Sequence, residues 1–124
     1  MEVQKVDPAR PEPLPVNHPD GFEVVPTIVN EIKDLKHWLV DGGALLVEWL
    51  TRRADFGFKK YGARLTYPNG RNWHKDLCDE LADAVNYARG ALEAGQISHA
   101  TYAWIMTIAD RVINEKEMSN ENQQ

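Results

Sequence analysis

The chain has 124 residues, a hydrophobic content of 43% and a formal net charge of −5, values typical of one ordinary globular domain. The acidic balance argues against a general nucleic-acid or anionic-membrane binder, because such proteins need a basic face. One cysteine excludes an intrachain disulfide, and no apolar run is long enough to span a membrane. Since the N-terminus also lacks an apolar signal core, we expect a cytoplasmic protein.

The first 26 residues form a proline-rich segment. They contain six of the seven prolines of the chain: Pro8, Pro11, Pro13, Pro15, Pro19 and Pro26. Proline removes an amide donor and disfavours helix in the residue before it. Residues 1–26 are therefore predicted to be an irregular, largely extended arm.

Two amphipathic helices are predicted after the arm. The first begins at Thr27, and the Gly42–Gly43 pair is a plausible end for it. The second runs from about Ala44 to about Phe58. We expect its core side to carry Leu45, Leu46, Trp49, Leu50 and Phe56. Its other side carries charged residues at four-, three- and four-residue steps: Glu48, Arg52, Asp55 and Lys59.

A basic loop and two further helices complete the prediction. Turn-forming residues interrupt the helical pattern between Lys60 and Arg71. Helix three is expected to start after an N-cap at Asn72 and to end near Gly95, and Ser98 is a good N-cap for helix four. The predicted core stripe of helix three is Leu77, Leu81, Ala84, Ala88 and Leu92.

No segment alternates convincingly as a strand, so the predicted fold class is all-α. We expect an antiparallel four-helix bundle over residues 27–118, followed by a frayed tail over residues 119–124. The core of such a small bundle is limited, and we expect oligomerisation to complete it.

Acidic residues are concentrated on helix three. Asp76, Glu80 and Asp83 are four and three residues apart, which places them on one helix face, and Asp79 lies beside them. Like charges at this spacing repel by about 0.2–0.5 kcal/mol per pair. A solvated face tolerates that repulsion, and a divalent cation such as Mg²⁺ offsets it. The residues alone leave both interpretations open.

A magnesium site is one use for this face. If helices two and three pack antiparallel, Glu48 and Asp55 could approach the acids of helix three, and substrate phosphate oxygens would complete the ligation. The cation would then polarise a phosphoryl group and activate a water. Phosphates could be held by the basic residues Arg52, Lys59, Lys60, Arg64 and Arg71.

Three segments carry a resemblance to a known family. They are residues 53–62 (RADFGFKKYG) with Leu65, residues 69–71 (NGR), and residues 76–87 (DLCDELADAVNY). With Glu48, they resemble the MazG-like, all-α nucleoside triphosphate pyrophosphohydrolase superfamily, in particular its short forms common in phage genomes. The resemblance covers roughly the middle third of the chain.

This resemblance implies a function and a set of site residues. Members cleave (deoxy)nucleoside triphosphates to the monophosphate and pyrophosphate, as dimers or tetramers, with Mg²⁺ held by acids from two helices; Mn²⁺ can replace it. Catalytic residues would be Glu48, Glu80 and Asp83, and metal ligands would be Glu48, Asp76, Glu80 and Asp83. Substrate would be bound by Arg52, Lys59, Lys60, Arg64, Arg71, Asn86 and Tyr87. A phage-encoded member would act in the host cytoplasm.

The first acidic motif departs from the family pattern. The usual motif has glutamates on consecutive turns, whereas Glu48 is followed by Thr51 and Arg52. Either Asp55 or Asp76 replaces the missing ligand, or the site binds fewer metals, or the protein binds nucleotides without cleaving them. Two alternatives to the enzyme follow: a non-catalytic nucleotide-sequestering protein of the same fold, and a helical adaptor.

Overall fold

The computed structural model describes residues 21–115, of which 78% are helical. It contains four α-helices and a small two-stranded sheet within that range. The elements in chain order are β1 (Phe22–Glu23), α1 (Val24–Leu35), α2 (Ala44–Tyr61), β2 (Thr66–Tyr67), α3 (Trp73–Glu93) and α4 (His99–Asn114). The arm up to residue 20 and the predicted tail lie outside the described residues.

The chain divides into two compact units. Unit one is Met1–Arg71, and its described part holds α1, α2 and the sheet. Unit two is Asn72–Gln124, and its described part holds α3 and α4. The mostly helical class is thus confirmed, while the single domain over residues 27–118, the antiparallel bundle and the oligomer stay predictions.

Helix α1 is shifted from its predicted position. It begins at Val24, so Pro26 lies in its first turn, where a missing amide donor is tolerated. It ends at Leu35, and two 3₁₀ turns, Lys36–Trp38 and Val40–Gly43, lead to α2. The predicted continuation of the helix to Gly42 is therefore wrong.

Gly43 is the point of close approach between α1 and the start of α2. Its φ is +84°, a left-handed backbone that favours glycine. A Cβ atom there would lie 2.8 Å from Cγ2 of Ile32, which is buried at 6% exposure. The Gly42–Gly43 pair thus joins two helices through a tight turn.

The two short strands form an antiparallel pair that the sequence did not predict. Phe22 pairs with Tyr67, and their ring centroids are 5.6 Å apart. The amide of Val24 donates to the carbonyl of Leu65 at 3.0 Å. This pairing ties the end of the basic loop to the start of α1.

Helix α2 turns a different face inward from the one predicted. Its half-buried residues recur at three- and four-residue steps: Val47, Leu50, Ala54, Gly57 and Tyr61. Four predicted core residues are instead exposed, Leu45 at 64%, Leu46 at 46%, Trp49 at 53% and Phe56 at 52%. Only Leu50 of the predicted core side lies on the half-buried face.

The boundaries of α3 and α4 confirm the predicted caps. The Asn72 side chain accepts a hydrogen bond from the amide of Lys75 at 3.0 Å. The Ser98 hydroxyl accepts one from the amide of Thr101 at 3.1 Å. Gly95 follows α3 with a φ of +74°, as expected for a residue that ends a helix.

Helices α3 and α4 pack against each other within unit two. The buried apolar residues of their described part are small, Ala88 at 5% exposure and Ala109 at 2%. Nε2 of His74 donates to the carbonyl of Val112 at 2.8 Å, since a carbonyl can only accept, and this bond links the start of α3 to the end of α4. Cys78 is half-buried, with Sγ 3.6 Å from the same nitrogen.

Many large apolar side chains of the described range are exposed. Trp38, Val40, Tyr87 and Trp104 have exposed fractions of 86%, 88%, 76% and 69%. Within residues 21–115, every helix is too short or too polar to span a lipid bilayer. Exposed apolar surface of this kind is what a partner subunit would cover.

Candidate functional site

Three of the predicted metal ligands lie along one edge of α3. Asp76, Glu80 and Asp83 belong to one uninterrupted helix, so their spacing of four and three residues aligns them. Tyr87, four residues after Asp83, continues the same edge. We call these four residues the acidic edge. Asp76 is half-buried and the other three are exposed.

Part of the acidic edge has a structural explanation. Asp76 lies in the first turn of α3, where the helix dipole stabilises a negative charge. Asp76 and Glu80 also interact with other groups in the structure. Asp83, exposed in the middle of the helix, has neither explanation.

Asp79 and Asn86 lie beside this edge. Asp79 accepts an ion-paired hydrogen bond from Nζ of Lys75 at 2.9 Å, an i,i+4 pair in which both side chains are about half exposed. Asn86 is exposed, three residues after Asp83. The charge of Asp79 is thus balanced within one turn of α3.

Both acids of α2 are engaged by arginine. Glu48 Oε1 accepts from Nη2 of Arg52 at 2.9 Å, and Asp55 Oδ1 accepts from Nη1 of Arg64 at the same distance. All four side chains are between 41% and 61% exposed. Exposed pairs of this kind stabilise a fold by only about 0–1 kcal/mol. A cation or a phosphate can therefore exchange for either partner at little cost.

Glu48 also lines an open pocket of about 520 Å³ in unit one. The other lining residues are Leu39, Val40, Asp41, Gly43, Ala44, Leu45 and Leu46. Asp41 adopts a φ of +49°, which is uncommon for a residue other than glycine. The walls are mainly apolar, and the carboxylates of Asp41 and Glu48 are the charged groups among these lining residues.

The predicted phosphate-binding residues lie between positions 52 and 71, several of them against aromatic rings. Cζ of Arg52 is 4.9 Å from the centroid of the Trp49 ring. Nζ of Lys60 is 5.2 Å from that of Tyr61. Arg64 lies over Phe58 at 4.5 Å while it pairs with Asp55. Lys59 is exposed and Arg71 is half-buried.

The amino-acid sequence alone did not predict two features of unit one. Arg53 lies over the ring of Phe56 at 4.6 Å, and the three-residue spacing of this pair on a helix was the available signal. Asn69 is buried at 4% exposure; its Oδ1 accepts from the amide of Arg71, and its Nδ2 has no hydrogen-bond partner among residues 21–115. A buried, unpaired donor costs about 1–3 kcal/mol, and nothing in the amino-acid pattern indicates it.

The predicted site residues fall into both units. Glu48 and the basic residues belong to unit one, whereas Asp76, Glu80, Asp83, Asn86 and Tyr87 belong to unit two. Over residues 21–115, no three His, Cys, Asp or Glu side chains form a group that could hold a metal ion. Comparison of the chain with family models, with curated proteins and with solved structures found no match. The assignment of these residues to one catalytic site stays a prediction.

Proposed function

We propose that the protein hydrolyses a (deoxy)nucleoside triphosphate to the monophosphate and pyrophosphate, with Mg²⁺ as cofactor, in the cytoplasm. The observation that carries this proposal is the acidic edge: three carboxylates and an exposed tyrosine aligned on one continuous helix. The edge lies in the segment that resembles MazG-like pyrophosphohydrolases. A bound cation would offset the repulsion between the carboxylates of this edge.

The chemistry of the acidic edge suits a hard cation. Glu80 and Asp83 are one turn apart, so both carboxylates can ligate a single ion, and Mg²⁺ accepts one or two carboxylates together with waters and substrate phosphates. Asp76 and Asp83 are separated by about 10 Å along the helix axis, which is too far for both to ligate that ion. When bound, Mg²⁺ or Mn²⁺ would supply Lewis-acid stabilisation of charge on the phosphoryl oxygens.

Arginine and lysine residues of unit one would bind the triphosphate. Guanidinium groups match phosphate oxygens in a bidentate geometry. Because the Arg52–Glu48 and Arg64–Asp55 pairs are exposed, their arginines can turn to a phosphate at low cost. The turn of Arg52 would also release Glu48, the acid that the resemblance assigns to the first motif. Lys59, Lys60 and Arg71 would add positive charge.

Asn86 and Tyr87 would contact the nucleoside. Tyr87 is 76% exposed, so its ring is available to stack on a base. Asn86 carries both a donor and an acceptor and is exposed beside it. Stacking on an aromatic ring does not distinguish one base from another, so Asn86 is the residue that would discriminate among bases.

Pyrophosphate release tests the proposal. The assay uses a panel of ribo- and deoxyribonucleoside triphosphates, with Mg²⁺ or with EDTA, for the wild type, Glu80→Gln and the matched control Asp79→Asn. Asp79 is an acid of the same helix that is paired with Lys75 and lies off the acidic edge. We expect metal-dependent release that Glu80→Gln abolishes and Asp79→Asn keeps. No release from any nucleotide would contradict hydrolysis.

One observation favours a second candidate, a nucleotide-sequestering protein. Glu48 is paired with Arg52, and the adjacent turn offers Thr51 instead of a second glutamate. Such a site would bind nucleotides but would have fewer metal ligands with which to position an attacking water. Thermal stabilisation by nucleotides without any pyrophosphate release would select this candidate.

We further propose that the working protein is a homodimer or homotetramer. The small number of buried apolar residues over the described range supports this, as do Trp38 and Trp104, both exposed by more than two thirds. Light scattering coupled to size exclusion would measure the mass. A monomer at micromolar concentration would contradict the proposal.

A further inference from the structure

The outward face of α2 carries a stripe of side chains that begins with a leucine and continues with aromatic and cationic residues in alternation. Its members recur at three- and four-residue steps opposite the half-buried face: Leu45, Trp49, Arg52, Arg53, Phe56, Lys59 and Lys60. We call this set the α2 stripe. From Trp49 to Lys60 it extends about 16 Å along the helix axis. All seven side chains belong to exposed residues.

The rings of the stripe are in direct contact with its arginines. Cζ of Arg52 lies 4.9 Å from the Trp49 centroid, and Cζ of Arg53 lies 4.6 Å from the Phe56 centroid. About half of each ring residue is nevertheless open to solvent, 53% for Trp49 and 52% for Phe56. The part of each ring that the arginine leaves uncovered therefore offers an apolar surface with a positive charge beside it.

The segment around the stripe is basic although the chain is acidic. Between positions 45 and 64 there are five Lys and Arg residues against two carboxylates, Glu48 and Asp55. Each of these carboxylates is paired with an arginine. A net charge of −5 is a property of the whole chain and does not describe this face.

We propose that the α2 stripe binds single-stranded nucleic acid. Proteins that hold single strands without sequence preference combine cations that follow the phosphates with aromatic rings on which bases stack. Trp49 and Phe56 are two turns apart, about 10 Å, with arginines between them and lysines beyond Phe56. The stripe thus alternates stacking surfaces and phosphate partners along a line. In a duplex the bases are already stacked on each other, so the rings favour single strands.

The arrangement fits a lipid surface or a second copy of the chain less well. An interfacial helix buries an apolar face that is separate from its charged face, whereas here the arginines lie over the rings themselves. A symmetric contact between two copies of the stripe would bring eight cations together at the contact. A single-stranded nucleic acid uses both features, because its bases stack on the rings and its phosphates pair with the cations.

The test is fluorescence anisotropy with a labelled 15-nucleotide oligo-dT and its RNA counterpart, at low salt and in EDTA. Trp49→Leu and Phe56→Leu remove a ring but keep apolar volume, and Arg53→Gln removes a charge outside the proposed triphosphate-binding set. The matched controls are Trp104→Leu, at a tryptophan on α4 that is more exposed than Trp49, and Arg111→Gln. Circular dichroism and the urea midpoint establish that each variant is folded.

We expect single strands to bind more tightly than the corresponding duplex, with a dissociation constant that rises with salt. Each ring variant should weaken oligonucleotide binding by about tenfold or more. Arg53→Gln should weaken binding and also reduce its dependence on salt. The control variants should bind as tightly as the wild type. Binding that is absent, or equal in the ring variants and the controls, would overturn the proposal. So would binding of phosphatidylserine vesicles in place of oligonucleotides, or self-association that the ring variants abolish. Because the assay contains neither metal nor triphosphate, its failure is separate from a failure of pyrophosphate release.

Discussion

Arg52 and Glu48 form an ion pair across one turn of α2, with Nη2 2.9 Å from Oε1. The pair joins a residue proposed to hold phosphate to a residue proposed to ligate metal. Both side chains are more than half exposed, so the pair contributes about 0–1 kcal/mol to stability. The role of the pair would then be functional, because a triphosphate that binds Arg52 would release the Glu48 carboxylate.

Replacement of Arg52 tests this exchange. We expect Arg52→Gln to raise the KM for the triphosphate by about tenfold, because a charge-assisted contact to phosphate contributes about 1.5–3 kcal/mol. The urea unfolding free energy should change by less than about 1 kcal/mol. Arg89→Gln is the matched control, since Arg89 forms a similar exposed pair with Glu93 on α3. Equal KM values in the two variants would contradict a phosphate role for Arg52.

Replacement of Asp83 should separate metal binding from intrinsic stability. Without metal, Asp83→Asn removes repulsion with Glu80, so the unfolding free energy should stay the same or rise by about 0.2–0.5 kcal/mol. With Mg²⁺, the wild type should gain thermal stability because the cation binds the folded state, and Asp83→Asn should lose that gain. Differential scanning fluorimetry over a Mg²⁺ titration measures both. A wild type that Mg²⁺ does not stabilise would favour a solvated acidic edge.

Gly43 and Gly57 should respond to alanine in opposite ways. At Gly43 a Cβ would lie 2.8 Å from Ile32 and require a φ of +84°, so Gly43→Ala should destabilise the fold by about 2 kcal/mol or more. Gly57 lies inside α2, where an added Cβ would meet no atom of the described residues within 4 Å, and Gly57→Ala should stabilise by about 0.5–1 kcal/mol. Urea unfolding of both variants measures the difference. Equal effects would contradict the tight turn between α1 and α2.

The N-cap of α4 should be a local stability determinant. Ser98→Ala removes the acceptor for the Thr101 amide and should cost about 0.5–2 kcal/mol. Thr107→Ala is the control, because Thr107 is exposed in the middle of the same helix and bonds the carbonyl of Ala103. That replacement should be neutral or slightly stabilising, since alanine has the higher helix propensity. Thermal unfolding followed by circular dichroism compares the two variants.

Features set by local chemistry were predictable from the sequence. Asn72 and Ser98 are capping residues because their side chains reach an amide three residues ahead, and Gly95 adopts the left-handed backbone that ends α3. The strands were not predictable, because two-residue strands are too short to alternate and their pairing joins Phe22 to Tyr67. The end of α1 at Leu35 was also missed, since apolar residues at helical spacing continue to Leu39.

The orientation of α2 shows why the site was only partly predictable. Apolar residues occur on both of its sides, so spacing alone did not decide between the faces of Val47 and Trp49. The large side chains Trp49 and Phe56 suggested the core, yet the half-buried face is the one that carries Val47, Leu50 and Ala54. On α3 the alignment of Glu80 and Asp83 follows from helix geometry and needed no tertiary information. Their role as metal ligands depends on the resemblance and stays a prediction.

The proposed reaction cleaves the triphosphate between its α- and β-phosphates, and the stoichiometry of the products distinguishes this cleavage from loss of the γ-phosphate alone. The triphosphate that the panel identifies would be incubated with the wild type and Mg²⁺, and the products separated by anion-exchange chromatography. We predict one pyrophosphate per nucleoside monophosphate, and neither product with Glu80→Gln or with EDTA. A nucleoside diphosphate with inorganic phosphate, or no product from any nucleotide, would rule out cleavage between the α- and β-phosphates by this protein.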